Sequence, residues 1–177
     1  VTNNIPDGKL PNIVFLDMDG VLCNPRACLA TGNTGGGYSY LDPIACLLVK
    51  RLCDECSAKI VISSAWRQEF DQWAMRAILN ANCPNLGNYV WHSEVWWRTT
   101  TCAYEHGITD TSDRGREIKN WIDNHEEAFN NFVILDDMAD MRPVQDNLVK
   151  CDTYNGIGFM DYHKAEMILM SGYSKEV

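Results

Sequence analysis

Val14-Phe15-Leu16-Asp17-Met18-Asp19-Gly20-Val21-Leu22 is the stretch on which the reading turns. Its apolar run has no alternating polar positions, as expected for a parallel strand buried on both faces. It stops at two aspartates one residue apart, and Gly20 then permits a tight exit from the strand. The same grammar recurs twice. The apolar run at 131–135 ends in Asp136-Asp137-Met138-Ala139-Asp140, and the run at 59–63 ends in Ser63-Ser64-Ala65-Trp66-Arg67. A further strand is expected at 147–151 and a weaker one at 89–92.

Helical patterns lie between these runs. Asp42-Pro43 is a good start, with Asp as N-cap and Pro at the first position. Ile44, Leu47, Leu48, Arg51 and Leu52 follow at helical spacing. Phe70, Trp73, Ala74, Ala77 and Ile78 form a second stripe. Ile118, Trp121, Ile122 and His125 form a third, capped by Ser112 or Asp113, and Ala165, Ile168 and Leu169 a fourth. Strands alternating with helices predict right-handed β-α-β units around a mainly parallel sheet, an α/β domain. Ligands of such sheets bind at the carboxyl ends of the strands, where the aspartates and serines lie.

Composition bounds the rest. The 177 residues are 46% hydrophobic and 22% charged, which fits one globular domain and excludes a disordered chain. Fifteen Lys+Arg against 24 Asp+Glu give a net charge of −9, which argues against non-specific duplex binding but not against a locally positive pocket. No apolar run approaches a membrane span. Residues 1–10 are polar, with Pro6, Asp7 and Gly8, and do not read as a secretory leader. The eight cysteines are then expected as reduced thiols in a cytoplasmic protein, with Cys53-x-x-Cys56 as two small apolar helix residues. The segment 24–42 reads as a flexible loop with four glycines in 31–37, and 83–113 as a small Trp-rich insertion holding Tyr89, Trp91, Trp96, Trp97 and Arg98. Aromatic faces beside an arginine suit either base stacking or packing, and packing is favoured for Trp91.

The strand ends carry the chemistry. Carboxylates emerging together from central strands repel one another and resist burial. A Mg²⁺ ion relieves this, because it prefers oxygen ligands and keeps waters that a substrate phosphate can replace. Of Asp17 and Asp19, one suits a nucleophile toward phosphorus and the other a general acid and base. Ser63, with Ser64 beside it, can donate to a phosphoryl oxygen, and Arg67, Arg114, Arg116 and Lys119 are candidates to neutralise the dianion.

With these residues in place, the chain resembles the haloacid dehalogenase (HAD) superfamily of phosphohydrolases. Asp17-Met18-Asp19-Gly20-Val21-Leu22 matches the first motif of that family, Ile60-Val61-Ile62-Ser63 the second, and Val133-Ile134-Leu135-Asp136-Asp137 the fourth. Ser63-Ser64-Ala65-Trp66-Arg67, Gly107-Ile108-Thr109 and Arg114-Gly115-Arg116-Glu117-Ile118 narrow the likeness to a branch of small phage and bacterial enzymes, some fused to nucleic-acid repair domains. The layout is also similar to the phosphatase half of polynucleotide kinase–phosphatases. Asp110 departs from that branch, which often has proline there.

The resemblance implies a three-layer α/β/α Rossmannoid domain over 1–177, with minimal or no cap, since the intervals 20–63 and 63–114 are short. It implies that Asp17 attacks phosphorus and that Asp19 protonates the leaving group and then activates water. Ser63 and Arg114, with Arg116 as the second choice for the motif-three base, would hold the phosphoryl oxygens, joined by Ser64 and Arg67. Mg²⁺ would be held by the Asp17 side chain, the Asp19 carbonyl and Asp137, with Asp136 supporting. The expected substrate is a nucleotide or a 3′- or 5′-phosphorylated nucleic-acid end. A phosphatase or phosphotransferase of another phosphorylated metabolite or protein, and a non-catalytic binding protein on this fold, are the alternatives.

Overall fold

The structure is a computed structural model that describes residues 9–32, 40–100 and 113–171. Four parallel strands form one sheet in the order β2-β1-β3-β4: β1 (Asn12–Leu16), β2 (Ala58–Ile62), β3 (Phe132–Asp136) and β4 (Leu148–Lys150). Among the described residues five α-helices accompany them: α1 (Pro25–Thr31), α2 (Pro43–Glu55), α3 (Gln72–Asn82), α4 (Arg114–His125) and α5 (Phe159–Met170). The domain is therefore α/β, with each expected strand within a residue or two of its place. The weak fifth strand reduces to two isolated bridges, Ile60 with Val90 and Ile62 with Arg98, by which the Trp-rich segment runs beside β2.

Alternate strand residues feed two cores. Val14, Leu16, Ile60, Ile62, Val133 and Leu135 pack against α2, α3 and α5 on one face. Ile13, Phe15, Val61, Phe132 and Ile134 pack against α4 on the other. On this second face Phe15 meets Trp121 and Phe132 edge-on at centroid separations of 5.3 and 5.8 Å. Trp91 and Trp96 pack here partly buried, whereas Trp97 is buried on the first face, so the Trp96-Trp97 doublet straddles the sheet edge.

Three local expectations need correction. The segment 24–42 begins with helix α1 rather than loop, because Asn24 caps Ala27 N–H and Pro25 opens the helix; residues 33–39, with most of the glycine stretch, lie outside the described residues, as do Gly107 to Asp110. In α2 the buried face is Ala45, Cys46, Val49, Leu52 and Cys53, while Ile44 and Leu47 are exposed. In α3 the buried residues are Met75 and Leu79, and Trp73 is exposed.

The chain leaving β1 is tied to α2 through Asp42, which is buried. Its carboxylate accepts from the α2 N–H groups of Ile44 and Ala45, from Asn24 Nδ2 at 3.1 Å and from Arg26 Nη2 at 2.7 Å. Burial alone would raise its pKa, but these donors outweigh burial and hold it below the usual carboxylate value. Asp42→Ala is expected to lose about 1–2 kcal/mol of stability at pH 7, by urea denaturation, as for a lost N-cap. A folded-state pKa below the unfolded one gives stability that is present above the unfolded value and lost as pH falls through the folded one. The difference between the two proteins should accordingly shrink in acid.

Candidate active site

Backbone pairing continues one step beyond the strands and sets the site. Asp17 N–H donates to Leu135 O at 3.0 Å and Ser63 N–H donates to Leu16 O at 3.0 Å, so the β1, β2 and β3 ends are held side by side. Asp17, Asp136 and Asp137 then bring one carboxylate oxygen each within 4.8 Å of one another.

Arg114, the first residue of α4, binds this cluster. Its Nη1 lies 2.7 Å from Asp17 Oδ2 and 2.6 Å from Asp136 Oδ2. The remaining oxygens of these two acids accept backbone N–H groups, Asp17 Oδ1 from Met18 and Asp136 Oδ1 from Met138, both at 2.9 Å. Burial, then the charge of Asp17, pushes Asp136 up out of the usual carboxylate range, against the pull of Arg114. Burial alone would lower Arg114, but the two carboxylates overcome it and raise its pKa. Asp137 is half-buried and has no side-chain hydrogen bond among the described residues, which leaves it the most available acid for a cation.

Two glycines permit the close approaches. Gly20 sits at φ +72°, and a Cβ there would fall 2.3 Å from Asp137 Oδ2. Gly115 follows Arg114, and a Cβ there would fall 2.4 Å from the Arg142 carbonyl oxygen. A glycine in the first turn of a helix costs propensity, so its presence signals a packing demand readable from sequence. Here the demand is that α4 press on the chain after β3, which delivers Arg114 to the acids.

The other expected residues divide. Ser63 is fully buried, and its Oγ has no hydrogen-bond partner among the described residues, so a buried hydroxyl beside Asp17 awaits an acceptor. Asp19 is exposed, and its Oδ2 accepts Trp66 Nε1–H at 2.8 Å. Burial raises the Asp19 pKa; the indole bond opposes this, and the charges of Asp17 and Asp137 add to the rise.

Ser64, Arg67, Arg116 and Lys119 are not brought to the acids. Ser64 Oγ accepts Trp66 N–H at 3.4 Å and caps the 3₁₀ turn Ala65–Gln68. Arg67 is 4% exposed and occupied as a clamp: Nη1 donates to the Ser63 and Ser64 carbonyls at 2.6 Å, Nε to Thr99 O at 3.0 Å, and Nη2 to Glu117 Oε2 at 2.6 Å. It ties the end of β2 to α4 and holds no free donor face for phosphate. Arg116 is exposed and pairs with Asp113 at 3.2 Å, and Lys119 pairs with Asp123, so Arg114 is the base that reaches the site. Sequence reasoning gave no role to the Trp66–Asp19 bond or to Glu117. A tryptophan in an apolar context carries no outward sign that its N–H is used.

A parallel sheet ending in DxDG, a buried serine and an acid pair, with one arginine across them, defines the HAD class of phosphohydrolase. The chain belongs to the family of HAD domains in Swiss Army Knife RNA repair proteins, whose family model matches residues 13–161. No curated protein and no solved structure matches the chain.

Removing one partner of a buried ionic cluster strands the rest. Arg114→Gln is expected to cost about 3–5 kcal/mol of stability in urea denaturation. Adding Asp136→Asn in the same chain should recover part of that loss, because one stranded charge is gone.

Proposed function

We propose that the domain is a Mg²⁺-dependent phosphomonoesterase that works through an aspartyl-phosphate on Asp17, with the phosphorylated end of an RNA or a nucleotide as substrate. The observation that carries this reading is Asp17 itself, held by Arg114 and flanked by the partnerless Ser63 hydroxyl and the acid pair.

The residues fit a Mg²⁺ ion. Asp17, Asp136 and Asp137 offer oxygen donors only, and three carboxylates against the single Arg114 guanidinium leave an excess of two negative charges. The Asp17 and Asp137 carboxylates and the Asp19 carbonyl would hold it, with Asp136 supporting. Bound there, Mg²⁺ offsets the charge that builds on a transferring phosphoryl group.

The chain's own groups do the rest. Ser63 Oγ donates to a phosphoryl oxygen, and Arg114 neutralises charge on the phosphate while keeping Asp17 in place. Asp17 attacks phosphorus. Asp19 gives its proton to the departing oxygen, then removes one from the water that hydrolyses the acyl-phosphate.

The family's description supports a nucleic-acid end as substrate. So does openness, since among the described residues neither 20–63 nor 63–114 holds a domain-sized insertion, and the Trp-rich segment packs along the sheet edge. A cavity of about 400 Å³ lined by Arg116, Asp140, Arg142 and Pro143 lies where α4 begins, with both arginines largely exposed. Arg116 pairs there with Asp113 and Arg142 with Asp140, and a second phosphate of the same strand would take their place on these arginines, consistent with local rather than broad binding by an acidic protein. No helix among the described residues is long and apolar enough to cross a membrane, and the seven described cysteines are free, which suits a cytoplasmic setting.

A phosphatase screen over nucleotides, 3′- and 5′-phosphorylated oligonucleotides, sugar phosphates and phosphopeptides tests the proposal. Mg²⁺-dependent release, best from an oligoribonucleotide end and reduced more than about a thousandfold by Asp17→Asn, is expected. Equal release by both proteins contradicts it. Replacing Arg116 and Arg142 together by Ala should raise KM for the oligonucleotide roughly tenfold and leave that for nitrophenyl phosphate unchanged.

A further inference from the structure

We infer that Trp66 is a positioning residue that fixes the orientation of the Asp19 carboxyl and leaves its Oδ1 to face the substrate; the inference rests on the phosphatase reading above. Trp66 is 3% exposed and enters the site straight from β2 through the 3₁₀ turn Ala65–Gln68. Its ring packs against Phe70 at a centroid separation of 6.0 Å, its backbone N–H is held by Ser64 Oγ, and Arg67 anchors the same turn to two backbone carbonyls. The indole is thus fixed on three sides, and its Nε1 lies 2.8 Å from Asp19 Oδ2.

The chemistry of that contact is directional. An indole nitrogen only donates, so the oxygen facing it must present a lone pair. The contact therefore occupies Oδ2 and sets the plane of the carboxyl. No other hydrogen bond to the Asp19 side chain exists among the described residues, which leaves Oδ1 for the substrate. Asp19 is exposed, and a free carboxylate there would turn about its side-chain bonds. The indole bond removes that freedom before substrate arrives, which is how orientation contributes to rate.

In the first half-reaction an Asp17 oxygen bonds to phosphorus, the bond from phosphorus to the ester oxygen breaks, and the departing oxygen takes the proton from Asp19 Oδ1. In the second half water gives a proton back to Oδ1 while its oxygen bonds to phosphorus. The bond to Asp17 then breaks, releasing inorganic phosphate and restoring the Asp17 carboxylate and the protonated Asp19 carboxyl.

A leaving group that is already a weak base needs little protonation, whereas an alkoxide needs it fully. Single-turnover release of the leaving group isolates the first half-reaction. Trp66→Phe, which keeps a ring and loses the N–H, is expected to slow release of a ribose hydroxyl from a nucleoside monophosphate about 10- to 100-fold. Nitrophenol release from nitrophenyl phosphate should change less than about threefold. In an Asp19→Asn background the same substitution should have no further effect on the nucleotide. Equal slowing of both leaving groups, or of neither, overturns the positioning role while leaving the phosphatase reading intact. A wild-type protein inactive on both substrates overturns the phosphatase reading, and this inference with it. Should Trp66→Phe not fold, the indole N–H resonance of Trp66 decides: it moves upfield in Asp19→Ala if the bond exists, and an unmoved resonance overturns the inference.

Discussion

Three carboxylates brought to one sheet edge, with a single guanidinium across two of them, form the constraint on which the rest of the molecule depends. Asp17 and Asp136 arrive because β1 and β3 are neighbours in register, and they are buried because both strands are. Such a cluster is tolerable only if a cation is delivered to it. Delivery falls to α4, and much of the surrounding structure serves that end. Gly115 lets the helix start press on the chain after β3, and Arg67, through Glu117, ties α4 to the end of β2. One arginine against three acids leaves an excess of negative charge, which the proposed divalent ion would meet.

Asp17 and Asp19 are two residues apart and live in opposite settings. Asp17 is buried, accepts the Met18 N–H and meets Arg114, so its carboxylate is held in place from two sides. Asp19 is exposed, pairs with no cation among the described residues, and accepts one indole N–H. The proposed division of labour, with Asp17 as nucleophile and Asp19 as acid and base, matches this difference in setting. The turn after β1 achieves this through Met18, whose fully buried side chain pins the residue between them.

The architecture and the acids were legible in the sequence because both depend on local signals. Continuous apolar runs marked β1 and β3, and the polar residues ending each run were necessarily the ones at the sheet edge. Helix faces were less legible. Ile44, Leu47 and Trp73 are apolar and exposed, whereas Ala45, Cys46 and Cys53 face the core, so hydrophobicity alone does not mark the buried face. The basic residues were the least legible. Arg67, Arg114 and Arg116 are the same chemical group, and only tertiary placement makes the first a clamp, the second a site residue and the third a surface charge. The Trp66 bond to Asp19 was invisible for a related reason, since one side chain can fill a core and donate a hydrogen bond from its edge.

In the proposed reaction a carboxylate oxygen of Asp17 takes the phosphoryl group. Rapid acid quenching of the active protein during turnover, followed by proteolysis and mass spectrometry, tests this most directly. A hydroxylamine-sensitive phosphoryl group on Asp17, and on no other residue, is the predicted result. Turnover with no covalent phosphoryl group at any time, or with the group on another residue, would contradict the account.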